Sequence, residues 1–427
     1  MTLSGSLALV VVQALLIVGL SRLLGFGARF LRQPMVIAEI VAGIALGPSL
    51  LGKVWPSASA ILFPPAAAPA LGVVSQFGLI LFMFTIGVDF DPKLLAGRGR
   101  ASVAISHASI VVPFALGALL AQMIHTRLSN PGVPLSSFTL FLGAAMSITA
   151  FPVLARILAE RRLLDTQVGA LALACAAVDD VTAWCILAFV VAVVRYSGMT
   201  SAMITTALAA AYIAVLIAVV RPLLKRVAER ATARGEVTEN QLALVWFAAL
   251  LSAAVTEWIG IHALFGAFAL GAVIPSTNGF SRMVADKTGN VVLVLLLPLF
   301  FAYSGLRTEI GLIQGGGDWA ICGLIVFVAC AGKFGGSTIA ARLSGMPLRE
   351  ATAIGILMNT RGLMELIILN IGLDLGVISP KLFAMMVLMA LFTTFATTPL
   401  LRWVYPAASA SQRDAVLRGG PGLRHAA

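Results

Sequence analysis

Long apolar stretches recur along the whole chain, and the charged residues are gathered in the short segments between them. Apolar runs of about 18 or more residues are typical of membrane-spanning helices, whereas the strands of outer-membrane barrels are shorter and alternate in polarity. The pattern predicts an all-α polytopic membrane protein with thirteen transmembrane helices. Their approximate limits are residues 6–24, 33–50, 71–88, 102–123, 137–158, 167–194, 200–220, 240–256, 260–276, 289–306, 319–341, 351–372 and 383–404.

Composition supports a membrane protein and argues against other classes. Of the 427 residues, 60% are hydrophobic and 11% are charged, whereas a soluble protein has about 25% charged residues. The net charge of +11 does not indicate nucleic-acid binding, because the basic residues lie in small clusters between apolar runs. We expect a transporter without a cofactor, not an enzyme. The cysteines fall inside apolar runs without CxxC spacing and are interpreted as packing residues; they are Cys175, Cys185, Cys322 and Cys330.

The distribution of basic residues predicts the orientation in the membrane. With the N-terminus outside, the inner loops carry 22 lysines and arginines and the outer loops carry 5, as the positive-inside rule requires. We therefore expect a cytosolic C-terminus, with a bacterial inner membrane as the simplest location. The first apolar run lacks a preceding basic segment and a small-residue cleavage site, so we interpret it as a retained helix rather than a signal peptide.

Two pairs of motifs indicate an internal repeat. The stretch "LFMFTIGVDFD" (81–91) is similar to "LFFAYSGLRTE" (299–309), and "MSITAFPVLARIL" (146–158) is similar to "LMNTRGLMELIIL" (357–369). We predict a first repeat, helices 1–6, followed by a linking helix 7, within residues 1–220. A second repeat in 240–404 and a short cytosolic tail in 405–427 complete the chain.

One linking helix gives the two copies opposite orientations, which is an arrangement found in transporters. Helix 5 is predicted to break around residues 147–152, and helix 12 around residues 359–362. Helices that are interrupted at matching positions of two repeats indicate a binding site.

Asp179, Asp180 and Lys333 are charged residues within predicted spans, where charge is costly. Asp179 and Asp180 are neighbours with about a dozen mostly apolar residues on each side, and each carboxylate at a helix centre costs about 2.5–3.5 kcal/mol on insertion scales. A pair of helix caps is the plain alternative, and the length of the run argues against it. Lys333 is the expected partner, although a lysine that snorkels to the membrane surface is its alternative. The glycines around it should let helices approach closely; they are Gly332, Gly335 and Gly336.

Other polar residues in the spans have plainer interpretations. Arg361 and Glu365 are four residues apart, so they share a helix face and are interpreted as a mainly structural pair. Glu39 is expected to cap a helix or line a cavity. His107 and His262 are interpreted as satisfied interior polar groups rather than pH sensors.

Five stretches in order along the chain resemble the monovalent cation:proton antiporter-2 family; they are "AEIVAGIALGPSLLG", "SITAFPVLARIL", "AAVDDVTAW", "GKFGG" and "LMNTRGLMELIILNIG". The resemblance implies a core domain (71–194 and 289–404) with crossed, interrupted helices and a dimer domain (6–50 and 240–276). It also implies a homodimer and an elevator-like movement of the core. The potassium-efflux members carry a cytosolic nucleotide-binding domain. Because this sequence ends about 23 residues after helix 13, we expect no gating by such a domain.

The same resemblance assigns roles to individual residues. It implies that Asp180 binds the ion and that Asp179 pairs with Lys333. The remaining expected ion- or proton-binding residues are Thr149, Ser147 and Asn359, and the expected supporting residues are Thr360, Arg361, Glu365 and Pro152.

The expected function is secondary active antiport of a monovalent cation against protons. Sodium is the first expectation and potassium the second, with both ions and protons competing for the buried aspartates within a lipid bilayer. Two alternatives remain open. One is a sodium-coupled symporter of an organic anion on a similar inverted-repeat fold, and the other is a membrane sensor or assembly protein that moves no ion.

Overall fold

The computed structural model describes residues 7–31, 33–89, 100–161, 163, 166–195, 199–232, 237–260, 262–275 and 279–406. Within them the fold is helical, apart from one isolated β-bridge between Ser129 and Ile378. The predicted tail 405–427 lies beyond the described residues from position 407 onward.

The α-helices of the first half are α1 (Leu7–Phe30), α2 (Met35–Leu46), α3 (Leu51–Val54), α4 (Pro56–Leu62), α5 (Ala68–Asp89), α6 (Arg100–Leu128), α7 (Leu135–Ser147), α8 (Phe151–Glu160), α9 (Gln167–Arg195) and α10 (Met199–Val215). Those of the second half are α11 (Arg221–Thr232), α12 (Glu239–Ile259), α13 (Ala263–Val273), α14 (Phe280–Val291), α15 (Leu297–Leu306), α16 (Gly315–Cys330), α17 (Gly336–Leu343), α18 (Leu348–Met358), α19 (Leu363–Asp374) and α20 (Pro380–Val404). Short 3-10 turns lie at Pro65–Ala67 and Ile310–Leu312, and π-turns join consecutive helices at Leu216–Val220, Val292–Leu296 and Ala331–Gly335.

The predicted class, an all-α multi-pass membrane protein, is confirmed. Within the described ranges, ten helical segments are long and apolar enough to cross a membrane, and α7 and α13 are shorter apolar helices. Each of the predicted spans falls on a helix or on a pair of half-helices. The number of thirteen crossings stays a prediction.

The helices group into two compact units. The first contains the described residues within 1–27, 38–92 and 184–309, and the second contains those within 28–37, 93–183 and 310–427. This grouping differs from the predicted core domain, which included 71–194 and 289–404. The predicted spans 71–88 and 289–306 both belong to the first unit, together with the predicted dimer-domain segment 240–276.

Glycines allow close helix packing in the first unit. A Cβ atom on Gly87 of α5 would overlap the carbonyl oxygen of Phe268, and one on Gly271 of α13 would overlap the carbonyl oxygen of Phe84. The two helices therefore cross with backbone against backbone, which small residues make possible in membranes.

In the second unit, two helices are interrupted where the sequence predicts it. Helix α7 ends at Ser147 and α8 begins at Phe151, while α18 ends at Met358 and α19 begins at Leu363. The backbone N–H of Ala150 donates to the carbonyl of Thr360 over 3.0 Å, so the two breaks lie against each other. Non-helical backbone at membrane depth is stable only where it is buried in protein or lines a cavity.

Candidate functional site

Two neighbouring acids lie at the middle of the 29-residue helix α9. The exposed fraction is 0% for Asp179 and 5% for Asp180. Both are far from either end of α9, so the alternative interpretation as helix caps is wrong. Adjacent residues on an α-helix point about 100° apart, and the two carboxylates accordingly have different neighbours.

Asp179 accepts hydrogen bonds from four side chains. Its Oδ1 accepts from the hydroxyl of Ser106 over 2.8 Å. Its Oδ2 accepts from the hydroxyls of Ser109 and Thr149, the latter over 2.9 Å. The same Oδ2 lies 3.0 Å from the Nζ of Lys333. The predicted Asp179–Lys333 pair is thus present, and it is completely buried.

Lys333 lies in the π-turn between α16 and α17, a local irregularity that is frequent at functional sites. Its ammonium donates to Asp179 and, over 2.8 Å, to the backbone carbonyl of Ser109. With 0% of the side chain exposed, the snorkelling alternative is wrong. Gly332 packs against Pro113 of α6 as the sequence predicts, whereas a Cβ atom on Gly335 would have no neighbouring atom within 4 Å.

Asp180 has a contrasting environment. Neither carboxylate oxygen has a hydrogen-bond partner among the described residues, although both are inaccessible to solvent. The backbone N–H of Phe151, the first residue of α8, is a polar group near the carboxylate. Its position at the N-terminus of a helix places a partial positive charge close to the acid.

The predicted residues of the two breaks lie near these acids or join the breaks together. Thr149 contacts Asp179 and also the carbonyl of Met358, at 3.4 Å. Asn359 uses its amide nitrogen for a contact with Cys330 Sγ, and its Oδ1 is buried without a partner among the described residues. The Thr360 hydroxyl contacts that of Thr397 at 3.5 Å.

Arg361 joins the broken helices. Its guanidinium donates to Glu365 over 2.7 Å, and both side chains are fully buried. It also donates to the carbonyls of Ala145 and Met146 in the last turn of α7. A cation at the C-terminal end of a helix donates hydrogen bonds to the unpaired carbonyls and interacts favourably with the negative end of the helix dipole. These contacts agree with a mainly structural role for the Arg361–Glu365 pair. They also show that Arg361 binds the end of α7.

Sequence reasoning missed Ser106 and Ser109. Together with Ser102 they recur at intervals of four and three residues in the apolar helix α6, and all three are buried. Such spacing places them on one helix face, which is the signal that could have found them.

Comparison with known proteins decides the family. The model of the transmembrane sodium/hydrogen exchanger family matches residues 14–403. The chain belongs to the sodium/hydrogen exchanger family. As a member of this family it is a cation/proton antiporter, and the predicted kinship with such antiporters is confirmed.

Relatives of this family member include antiporters for two cations. The Na+/H+ antiporter NhaS4 of Synechocystis sp. is 43% identical over 405 residues, covering 95% of this chain and 99% of that protein. Cation/H+ antiporter 17 of Arabidopsis thaliana is 43% identical, with 96% of this chain and 50% of that protein covered. K+/H+ antiporter 1 of Saccharomyces cerevisiae is 34% identical, with 97% and 48% covered. The chain thus spans about half the length of the plant and yeast relatives.

A solved structure shows the same fold. The sodium proton antiporter MjNhaP1 from Methanocaldococcus jannaschii superposes on the present chain with a TM-score of 0.67 at 16% sequence identity. The match covers 95% of the present chain and 99% of the MjNhaP1 chain.

The other predicted residues are placed as follows. The Ser147 hydroxyl is within bonding distance of the carbonyls of Ile110 and Gly143, at 3.0 and 2.8 Å, and its predicted role at the ion site stays a prediction. Pro152 lies in the first turn of α8, and its side chain is outside the described residues. Glu39 is buried in α2. None of the four cysteines, which all lie in the described part of the chain, forms a disulfide.

The two histidines differ. His262 caps α13 by accepting from the backbone N–H of Leu264, as a satisfied polar group would. The interior placement of His107 is wrong, because its side chain is exposed and contacts only the Val103 carbonyl of its own helix among the bonds of the described residues. Its direct neighbours, Ser106 and Ala108, do not reveal which helix face this histidine occupies.

Proposed function

We propose that the chain exchanges a monovalent cation for protons, with sodium as the first substrate and potassium as the second. In this proposal the cation and protons compete for Asp180 during an elevator-type alternating-access cycle. The observation that carries it is the carboxylate of Asp180, which is buried and has no hydrogen-bond partner among the described residues.

An isolated buried carboxylate is unfavourable, and either a proton or a bound cation removes the cost. Both need the same oxygens, so loading with one excludes the other. If the site crosses the membrane only when it holds a proton or a cation, the proton gradient and the cation gradient become coupled. This competition is the simplest chemistry that makes use of an acid in such a position.

Oxygen atoms from the breaks are suitable for the rest of a cation shell, because small hard cations prefer carboxylate, carbonyl and hydroxyl oxygens. Asn359 supports this role with a buried Oδ1 that lacks a partner among the described residues. Thr149 supports it with a hydroxyl that already contacts Asp179. In this proposal the Asp179–Lys333 pair balances the charges next to the bound ion.

The wider architecture is also part of the proposal. We propose thirteen transmembrane helices in two inverted repeats, with a cytosolic C-terminus and a homodimeric assembly. The matching interruptions between α7 and α8 and between α18 and α19 support the repeat. The choice of two cations is supported by relatives named as Na+/H+ and K+/H+ antiporters. These names give no support to the organic-anion symporter.

The test compares Asp180→Asn with wild type in proteoliposomes under sodium, potassium and lithium gradients, with and without a membrane potential. We expect cation-driven proton movement to fall to that of empty vesicles in the variant. Asp318→Asn is the matched control, because this carboxylate is partly exposed and pairs with Lys381 at 2.8 Å. Full sodium- and potassium-driven proton movement by Asp180→Asn would refute the assignment, and movement of an organic anion by wild type would favour the symporter.

A further inference from the structure

Helix α20 carries a group of buried threonines next to the break between α18 and α19; they are Thr393, Thr394, Thr397 and Thr398. Thr393 donates its hydroxyl proton to the carbonyl of Ala390, and Thr397 donates to that of Thr393, so both donate within their own helix. Bonds of this kind to the preceding turn are ordinary for a threonine inside a helix. The hydroxyl of Thr394 instead bonds to another segment.

The Thr394 hydroxyl bonds to both backbone groups of one residue in the break. Its oxygen accepts from the N–H of Arg361 over 3.1 Å, and its proton is donated to the carbonyl of the same Arg361. A backbone N–H only donates and a carbonyl only accepts, so these directions do not depend on the protonation state of any acid. One side chain thus supplies both partners that the interrupted helix does not supply to this residue.

The backbone of Arg361 depends on Thr394 for its hydrogen bonds. The contacts of Arg361 with Glu365 and with the end of α7 involve only its guanidinium group. Among the bonds of the described residues, Thr394 is the partner of both the N–H and the carbonyl of this buried residue. Backbone groups freed by a helix break at membrane depth are stable only when side chains, water or other backbone replace the lost bonds.

The backbone that Thr394 holds is continuous with groups of the candidate site. Asn359, two positions before Arg361, has a buried Oδ1 without a partner among the described residues. The carbonyl of Thr360 accepts from the N–H of Ala150 in the other break over 3.0 Å. A displacement of the Arg361 backbone would therefore move both the unpartnered oxygen of Asn359 and the contact between the two breaks.

We propose that Thr394 is a positioning residue for the cation: by holding the Arg361 backbone, it keeps the α18–α19 break in the conformation that offers its oxygen atoms to the ion. This inference rests on the proposed function and deepens it. Thr394 contacts only Arg361 in the described bonds and reaches neither acid of α9. Its effect is therefore on the ligands that the break supplies, and ordering these ligands in advance strengthens cation binding.

The first test measures exchange in proteoliposomes against the concentration of sodium chloride and of potassium chloride, for wild type and Thr394→Val. Valine keeps the shape of the side chain and removes the hydroxyl. We expect KM for the transported cation to rise about tenfold, as when one buried hydrogen-bonding group loses its partner, and the maximal rate to fall much less. Thr394→Ser, which keeps a hydroxyl, should restore the wild-type KM. An unchanged KM in Thr394→Val overturns the proposal.

Thr393→Val is the matched control. Thr393 precedes Thr394 on α20 and is buried to the same degree, with 1% against 2% exposed, but its hydroxyl donates to Ala390 of its own helix. This variant should keep the wild-type KM. An equal rise of KM in Thr393→Val would show a general packing effect and overturn the role of Thr394.

A second test measures binding without transport. The thermal midpoint of purified protein is followed against sodium chloride or potassium chloride, with choline chloride at equal ionic strength as the reference. The cation concentration that gives half of the stabilisation should be about tenfold higher for Thr394→Val than for wild type and Thr394→Ser. If Thr394→Val does not fold, Thr394→Ala replaces it. Loss of folded protein in both, with Thr394→Ser like wild type, would show a role in folding and overturn the positioning role.

The outcomes separate this proposal from the proposed function. If wild type exchanges ions and Asp180→Asn does not, while Thr394→Val has the wild-type KM, the role of Thr394 is wrong and the proposed function stands. If Asp180→Asn retains full exchange, the proposed function fails first, whatever the Thr394 variants do. A maximal rate that falls with KM unchanged would place Thr394 in the conformational cycle rather than at the cation ligands, and it also overturns the proposal.

Discussion

Lys333 and Asp179 form an ion pair in which neither side chain is exposed. Removing one partner of such a pair leaves a buried charge without compensation and costs about 3–5 kcal/mol. We therefore expect Lys333→Ala to lower the thermal midpoint in detergent strongly and to shift the pH profile of exchange. The double variant Lys333→Ala/Asp179→Asn, which removes both charges, should be more stable than Lys333→Ala alone.

The matched control for this prediction is Lys381→Ala. Lys381 pairs with Asp318 at 2.8 Å, but the side chains are 36% and 22% exposed, and a pair of this kind contributes about 0–1 kcal/mol. Its midpoint should stay close to that of wild type. Equal losses in Lys333→Ala and Lys381→Ala, or a double variant less stable than Lys333→Ala, would contradict the buried-pair argument.

Charged residues in apolar runs stand out in the sequence more clearly than the serines of α6. Asp179, Asp180 and Lys333 stand out because ionised groups in a bilayer are costly unless they have partners. Ser106 and Ser109 do not stand out, because serine is common in membrane helices and its cost there is small. The contact of Arg361 with the end of α7 depends on how two distant helices cross, which no local pattern encodes.

The π-turn that carries Lys333 is held against α6 at a glycine. A Cβ atom on Gly332 would lie 2.8 Å from the Cα of Pro113, so an alanine there requires a backbone shift next to Lys333. We expect Gly332→Ala to cost about 1–3 kcal/mol and to reduce the exchange rate. Thermal midpoints in detergent and exchange in proteoliposomes measure the two effects.

Gly335 is the matched control in the same turn. A Cβ atom there has no neighbour within 4 Å, and alanine is a better helix former than glycine by about 1 kcal/mol. Gly335→Ala should therefore be as stable as wild type or more so, with unchanged exchange. A Gly335→Ala variant as impaired as Gly332→Ala would show that flexibility of the turn, rather than close packing, is what the glycines provide.

The interrupted helices could be placed from sequence more closely than the π-turns. Polar residues with Pro or Gly in an apolar run indicate a break, and the breaks at 148–150 and 359–362 lie where they were predicted. The π-turn at Ala331–Gly335 has the glycine-rich sequence AGKFG, which is equally compatible with an uninterrupted helix. Gly332 and Gly336 pack closely on α6 there, a contact between distant segments that a local pattern does not show.

The grouping of helices into compact units depends on long-range packing, and the assignment of a core domain and a dimer domain stays a prediction. The spans 71–88 and 289–306 were assigned to the core by their resemblance to a family, yet they lie in the first unit. Within this unit, α5 packs through Gly87 on α13 and leaves no room there for a side chain. One glycine in an apolar run gives no indication of which helix it will meet.

The orientation of the whole molecule in the membrane is open to a direct test. The ratio of 22 inner to 5 outer basic residues predicts that the loop before α7 is outside and the loop between α17 and α18 is inside. Ser136, in the first turn of α7, and Ser344, directly after α17, are exposed next to these two loops. In a variant without native cysteines, an impermeant maleimide should label Ser136→Cys on intact cells and Ser344→Cys only after permeabilisation. Each variant is the control for the other. The reverse pattern would place the N-terminus inside. Labelling of both variants in intact cells would show an even number of crossings between the two positions, whereas the prediction is an odd number.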